Sequence, residues 1–216
     1  MPLDKSRTLF KSLAVGIALL CVSCASLKMP YPDKAYFAIE PGTPDTASSA
    51  TAPGATPVIL IRRLSIAAPY DATAFVYKTG PAQFATDYYN AFITEPASLL
   101  TSDLIQWLSA TRPPGSIIAA GSGAHHDLIL EGNITALYAD LQNKSAPRAM
   151  IQARFMLIDE RNADAIVLDK TYSVSVPADN ATAPTIAAAF GRADRQILQS
   201  LAGDLPTNSP SEPRTK

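Results

Sequence analysis

Apolar residues recur at alternate positions in three long stretches of the second half of the chain. Leu128, Leu130, Ile134, Ala136 and Tyr138 keep this phase in the first. Ala149, Ile151, Ala153, Phe155 and Leu157 do so in the second, with Gln152 and Arg154 between them. Ile166, Leu168, Tyr172, Val174 and Val176 complete the third. A period of two places alternate side chains on one face, so the three stretches predict a β meander with one buried face. The polar runs Asn143-Lys144-Ser145 and Arg161-Asn162-Ala163-Asp164 supply its turns. Two other segments keep the helical period instead. Leu100, Leu104, Trp107 and Leu108 follow Thr94-Glu95-Pro96, where Thr94 can cap and proline is tolerated in the first turn; Arg112-Pro113-Pro114-Gly115 ends the segment. Ile186, Phe190, Ala193, Ile197 and Leu201 form the apolar stripe of a closing helix from about Pro184.

Shorter apolar runs fill the first half. Ala35 to Ile39 and Val58 to Ile61 read as strands, as does Ile117-Ile118. Ala74–Lys78 and Gln83–Tyr89 read as a hairpin turned at Gly80-Pro81. The expected fold is therefore α/β: a single domain with a mixed, largely antiparallel sheet and two packed helices. Between the first two strands, residues 41–57 are Pro, Thr, Ser and Ala without apolar period, which predicts a flexible insertion.

The N-terminus has a different character. Lys5, Arg7 and Lys11 precede the apolar run Leu13–Leu20, which is shorter than the roughly 20 residues a membrane span requires. A basic start, a short apolar core and small residues after it describe a secretory signal peptide. Cys24 follows small Ser23, as in a bacterial lipobox, although Cys21 holds the place where such motifs usually have leucine. The expected organisation is a removed signal at residues 1–23 and a tether at 24–34 acylated on Cys24. The domain then spans 35–205 and a disordered tail 206–216. Several acyl chains attach a protein to a bilayer stably where one does so marginally. Ala25 rather than Asp after the cysteine favours the outer membrane under enterobacteria-like sorting.

Composition narrows the chemistry. A formal charge of −1 without a Lys/Arg cluster argues against a nucleic-acid partner. The two cysteines lie in the signal region, away from other thiols and from both histidines, so a zinc site of about four ligands is not formed there. Gly121-Ser122-Gly123-Ala124-His125-His126-Asp127 contains serine, histidine and aspartate, but residues this close in sequence do not assemble a triad, which draws on distant elements. A polar turn is the simpler reading. Asp159, Glu160 and Asp164 read as another solvated turn. No catalytic residue, cofactor or metal is expected. The aromatic set Tyr77, Tyr88, Tyr89, Phe92 and Trp107 fits either a core or a lipid- or partner-facing surface.

The run Ala68–Gly80 (APYDATAFVYKTG), followed by Asp87-Tyr88-Tyr89-Asn90-Ala91-Phe92, resembles the ABC-type transport auxiliary lipoprotein family. That family includes the lipoprotein of the paraquat-inducible system. The aromatic strand Tyr36-Phe37-Ala38-Ile39 and the order helix, meander, helix agree with it. Lys78 stands where the family usually has arginine, and the Pro/Ala/Thr insertion is long. The resemblance implies a periplasmic lipoprotein on the outer membrane of a Gram-negative bacterium. Its expected partners are an MCE-domain protein and the associated ABC permease and ATPase, in intermembrane lipid traffic. It leaves a homo-oligomer open. Tyr77, Lys78, Tyr89, Asn90 and Phe92 are the implied contact region. Two other classes compete: an accessory of another envelope machine, such as lipopolysaccharide assembly, and a ligand-binding lipoprotein, which would need a deep pocket with convergent polar groups.

Overall fold

The thirteen-residue strand β7 (Leu128–Asp140) organises the sheet. The computed structural model describes residues 33–44 and 56–206. The signal segment, Cys24, most of the insertion and the tail beyond 206 lie outside them. On one side of β7 runs β8 (Arg148–Asp159), antiparallel to it, and then β9 (Ala165–Pro177), antiparallel to β8, as the meander predicts. Three short strands share the other side of β7, each parallel to it. β2 (Ile59–Ile61) lies beside Leu128–Leu130, β3 (Ser65–Ile66) beside Asn133–Ile134, and β4 (Ala74–Gly80) beside Ala139–Asp140. β6 (Ile117–Ala119) extends the sheet beyond β2. β5 (Gln83–Phe92) forms the hairpin with β4, and β1 (Ala35–Phe37) adds to β5 in parallel as an outer strand. The sheet is thus mixed, with its longest ladders antiparallel.

Helices α1 (Pro96–Thr111) and α2 (Ala183–Asp204) pack against each other, and α2 lies across β8 and β9. The apolar stripes predicted for both helices are buried, as are Ala149, Ile151, Ala153, Phe155 and Leu157 of β8. Thr94 does not cap α1. Glu95 occupies the cap position and turns its carboxylate to Arg63. No helix among the described residues is long and apolar enough to cross a membrane.

Two bulges correct the predicted alternation. In β7, Thr135 is an extra residue between the Ile134–Ala153 and Ala136–Gln152 pairs. Beyond it the phase flips, so Leu137 and Ala139 are buried rather than Ala136 and Tyr138. In β9, Val167 is extra, and Ile166 turns outward to 59% exposure. One added residue reverses every later side chain, because the strand period is two.

Candidate functional site

The implied contact residues lie on β4 and β5, and a large bulge divides them between the two faces of the hairpin. Ala74 pairs with Ala91 and Val76 with Thr86, so Phe75 alone stands opposite Asp87, Tyr88, Tyr89 and Asn90. The Asp87 carboxylate closes this bulge. Its Oδ1 accepts from the backbone amides of Tyr89 (2.8 Å) and Asn90 (3.1 Å). Its Oδ2 accepts from the Tyr77 hydroxyl (2.7 Å) and the Asn90 side-chain amide (2.8 Å). Burial alone would raise this carboxyl, but the hydrogen bonds from Tyr77, Asn90 and the two backbone amides outweigh it and hold it below its ordinary value. The Tyr77 phenol is pushed well up, first by burial and then by Asp87. Tyr77 and Asn90 are therefore internal parts of a polar knot. Phe92 belongs to the core: it is 3% exposed, with ring centroids 4.6 Å from Phe75 and 5.6 Å from Phe190. Trp107 is likewise buried. Neither presents a surface to a partner. The half-buried Tyr89 stands edge-on to the exposed Tyr88 at 5.1 Å.

Lys78 faces the opposite side of the sheet, away from the helices. Val76 and Thr86 are cross-strand partners there, as are Lys78 and Phe84. Beside them the β7 bulge turns out Tyr138. Its ring stacks on Tyr70 at 6.2 Å and meets the Phe84 ring edge-on at 5.5 Å, and the Lys78 ammonium lies 5.8 Å from its centroid. Pro69, Tyr70, Val76, Phe84, Ala85 and Thr86 line an open groove of about 410 Å³ beside this cluster. Burial raises the phenols of Tyr70 and Tyr138, so both stay protonated at neutral pH. The groove has a largely apolar lining that includes the hydroxyl residues Tyr70 and Thr86, and Lys78 and Tyr138 stand in the cluster beside it. That combination suits an apolar side chain of another protein flanked by polar groups.

Other clusters are occupied internally. The cleft of about 230 Å³ that contains Arg62, Arg63 and Arg154 is satisfied by Glu131, Glu95 and Asp169 respectively. In the Gly121–Asp127 segment, Asp127 accepts from the Val58 amide (2.9 Å), which fixes the entry to β2. His126 lies 3.0 Å from Glu160, and Ser122 accepts from the Ala124 amide, so the three residue types are not brought into a triad. Asp159 is buried and receives the Arg161 amide, while Asp164 occupies a left-handed turn position. Among the described residues, no group of three or more His, Cys, Asp or Glu could hold a metal. Asp87, Tyr70, Phe84 and Tyr138 are not among the contact residues expected from the sequence. Asp87 and Asn90, three apart in a strand-like run, were the available signal, because both residue types are depleted in strands and bond their own backbone in turns.

Asp87→Ala would leave the Tyr89 and Asn90 amides and two side-chain donors without their acceptor. A loss of about 2 kcal/mol is expected, seen as a fall of several degrees in Tm. The contribution of Asp87 is present above its unfolded value of 3.8 and lost as pH falls through the lower folded value, so the wild-type and variant curves should converge in acid.

The model of the ABC-type transport auxiliary lipoprotein component matches residues 37–202. No curated protein matches the chain significantly. Among solved structures, a Xanthomonas campestris protein of the DUF330 family is 20% identical with a TM-score of 0.64, covering 76% of this chain and 91% of its own. An uncharacterized protein is 12% identical with a TM-score of 0.62, covering 80% and 98%. At these identities the two structures share the fold.

Proposed function

Because this chain belongs to the ABC-type transport auxiliary lipoprotein family, we propose that it serves an MCE-type ABC system moving lipids between envelope membranes. In this reading it is a non-catalytic periplasmic subunit, held on the outer membrane through acylated Cys24. The family match over residues 37–202 carries the reading, since it covers nearly all of the domain. The ATPase and permease lie in other subunits. The groove beside Lys78 supports a docking role. It is open and rimmed by aromatics rather than closed around a small molecule.

Asp87 acts here as a positioning residue, since its knot sets how β5 lies on β4 and therefore where Phe84 stands. Tagged full-length protein recovered from native membranes in gentle detergent should bring an MCE-domain protein with its permease or ATPase. The Asp87→Ala variant should recover less of it, while the Cys24→Ala control should lose membrane attachment. Recovery of only an unrelated envelope machine would contradict the proposal.

A further inference from the structure

Half of the large exposed apolar side chains lie around one edge of the sheet. Six large ones are exposed among the described residues: Tyr36, Phe84, Tyr88, Ile93, Ile166 and Val167. Phe84 belongs to the groove, and Ile166 and Val167 lie on β9 at the far edge of the sheet. The other three meet around β1. Tyr36 (60% exposed) pairs with Ala91, and Ile93 (65% exposed), two residues on, shares that face, its amide bonding to Phe37. Tyr88 (71% exposed) is held by the Asp87 bulge, and the Lys34 ammonium lies 4.5 Å from its ring centroid. Two phenols, one aliphatic side chain and an ammonium therefore flank β1, the strand that begins the domain, as an amphipathic patch along the β1–β5 edge.

We infer that this β1–β5 patch seats against the phospholipid headgroup interface of the membrane from which the chain is tethered. The inference rests on the lipoprotein reading of Cys24. Ten peptide steps separate Cys24 from Lys34 (34 − 24 = 10), and that length reaches at most about 35 Å when extended. The tether enters the domain at this edge, so the anchor holds it within that distance of the bilayer. Tyrosine suits the site because its ring enters the apolar boundary while its hydroxyl stays hydrated. Lys34 can extend its ammonium to the lipid phosphates in the same position. A short tether converts docking into an intramolecular event at roughly millimolar effective concentration, so a small patch suffices. Without the signal, whose Lys5, Arg7 and Lys11 outweigh Asp4, the full chain's formal charge of −1 becomes −3 (−1 − 2), so there is no bulk attraction to anionic lipid and apolar contact has to dominate. Docked this way, the sheet face that carries Lys78 and Phe84 remains open to a protein partner.

The test uses the mature chain, whose single thiol at Cys24 is coupled to a maleimide lipid in vesicles of phosphatidylethanolamine and phosphatidylglycerol. This route does not depend on acylation in the cell, nor on any transport partner. Hydroxyl-radical footprinting then compares tethered with free chain. Oxidation of Tyr36 and Tyr88 should fall about fivefold as the rings sink roughly 5 Å or more into the boundary, with Ile166 unchanged. A moderate rise in salt should leave that protection in place. Equal oxidation on and off vesicles would overturn the inference. Equal protection of the free chain at high concentration would also overturn it, since a second copy would then be the occupant. Protection without recovery of an MCE-domain protein from membranes would overturn the transport reading alone.

Discussion

Gly191→Ala is expected to lose about 2–4 kcal/mol and to lower Tm by roughly 5–10 °C. At an ordinary helix position this substitution would gain up to about 1 kcal/mol. Gly191 is buried in the middle of α2, where the backbone of Glu40 crosses the helix. A Cβ there would overlap the Glu40 carbonyl oxygen and stand 2.8 Å from its carbon. Backbone cannot rotate aside as a flexible side chain can. The crossing segment is also pinned on both sides, by buried Ile39 and by the Arg195 Nε–H donated to the Pro41 carbonyl. The methyl must therefore push the segment after β1 off the helix or bend the helix. Thermal unfolding reads the loss, and hydrogen exchange of residues 35–40 reads where it falls. Ala188→Gly, at an exposed position of the same helix, should cost only about 1 kcal/mol. A higher Tm for Gly191→Ala would contradict the close crossing.

Asp194→Asn is expected to raise stability by about 1–3 kcal/mol at pH 8 and to change it little below about pH 4, where the carboxyl is protonated folded and unfolded alike. Asp194 is buried on α2, and one of its carboxylate oxygens has no hydrogen-bond partner. It borders a cavity of about 10 Å³ otherwise lined by residues such as Leu64, Leu104, Ile151 and Phe155. Burial pushes its carboxyl well above the ordinary value, and Asp103 of α1 adds to this. Asp103 is itself raised to about 7, first by burial and then by Glu40. Both groups bind protons more tightly folded than unfolded. Their contribution is therefore complete below the unfolded value of 3.8 and is lost as pH rises through the folded values. Wild-type stability should decline between about pH 4 and pH 8, and the amide variant should flatten that decline. Denaturant titrations across this range check the slope. A wild type that becomes steadily more stable toward pH 8 would contradict it.

The period of two in β8 and the helical stripes were legible because those segments carry no interruption. The phase of β7 beyond Ile134 and of β9 before Leu168 was not, since a bulge adds one residue without changing the local composition. β3 spans only Ser65–Ile66, too short for any period. The parallel placement of β2, β3 and β4 along one side of β7 depends on contacts between distant segments, which alternation does not encode. The candidate surface was partly legible. Lys78 lies on it, but Phe92 was drawn to the core by Phe75 and Phe190, and the Asp87 bulge turned Tyr77 and Asn90 inward. Tyr138 reached the groove only through the bulge at Thr135, and Tyr70 lies in a single turn of 3-10 helix.

Photo-crosslinking in living cells tests the docking surface most directly. A photoreactive phenylalanine replaces Phe84 at the rim of the groove, and Thr171, exposed on β9, carries the same group as a control. An adduct is expected between position 84 and an MCE-domain subunit, absent from position 171. Adducts from position 84 only with a second copy of this chain or with an unrelated envelope protein, while the transport complex is intact, would contradict it.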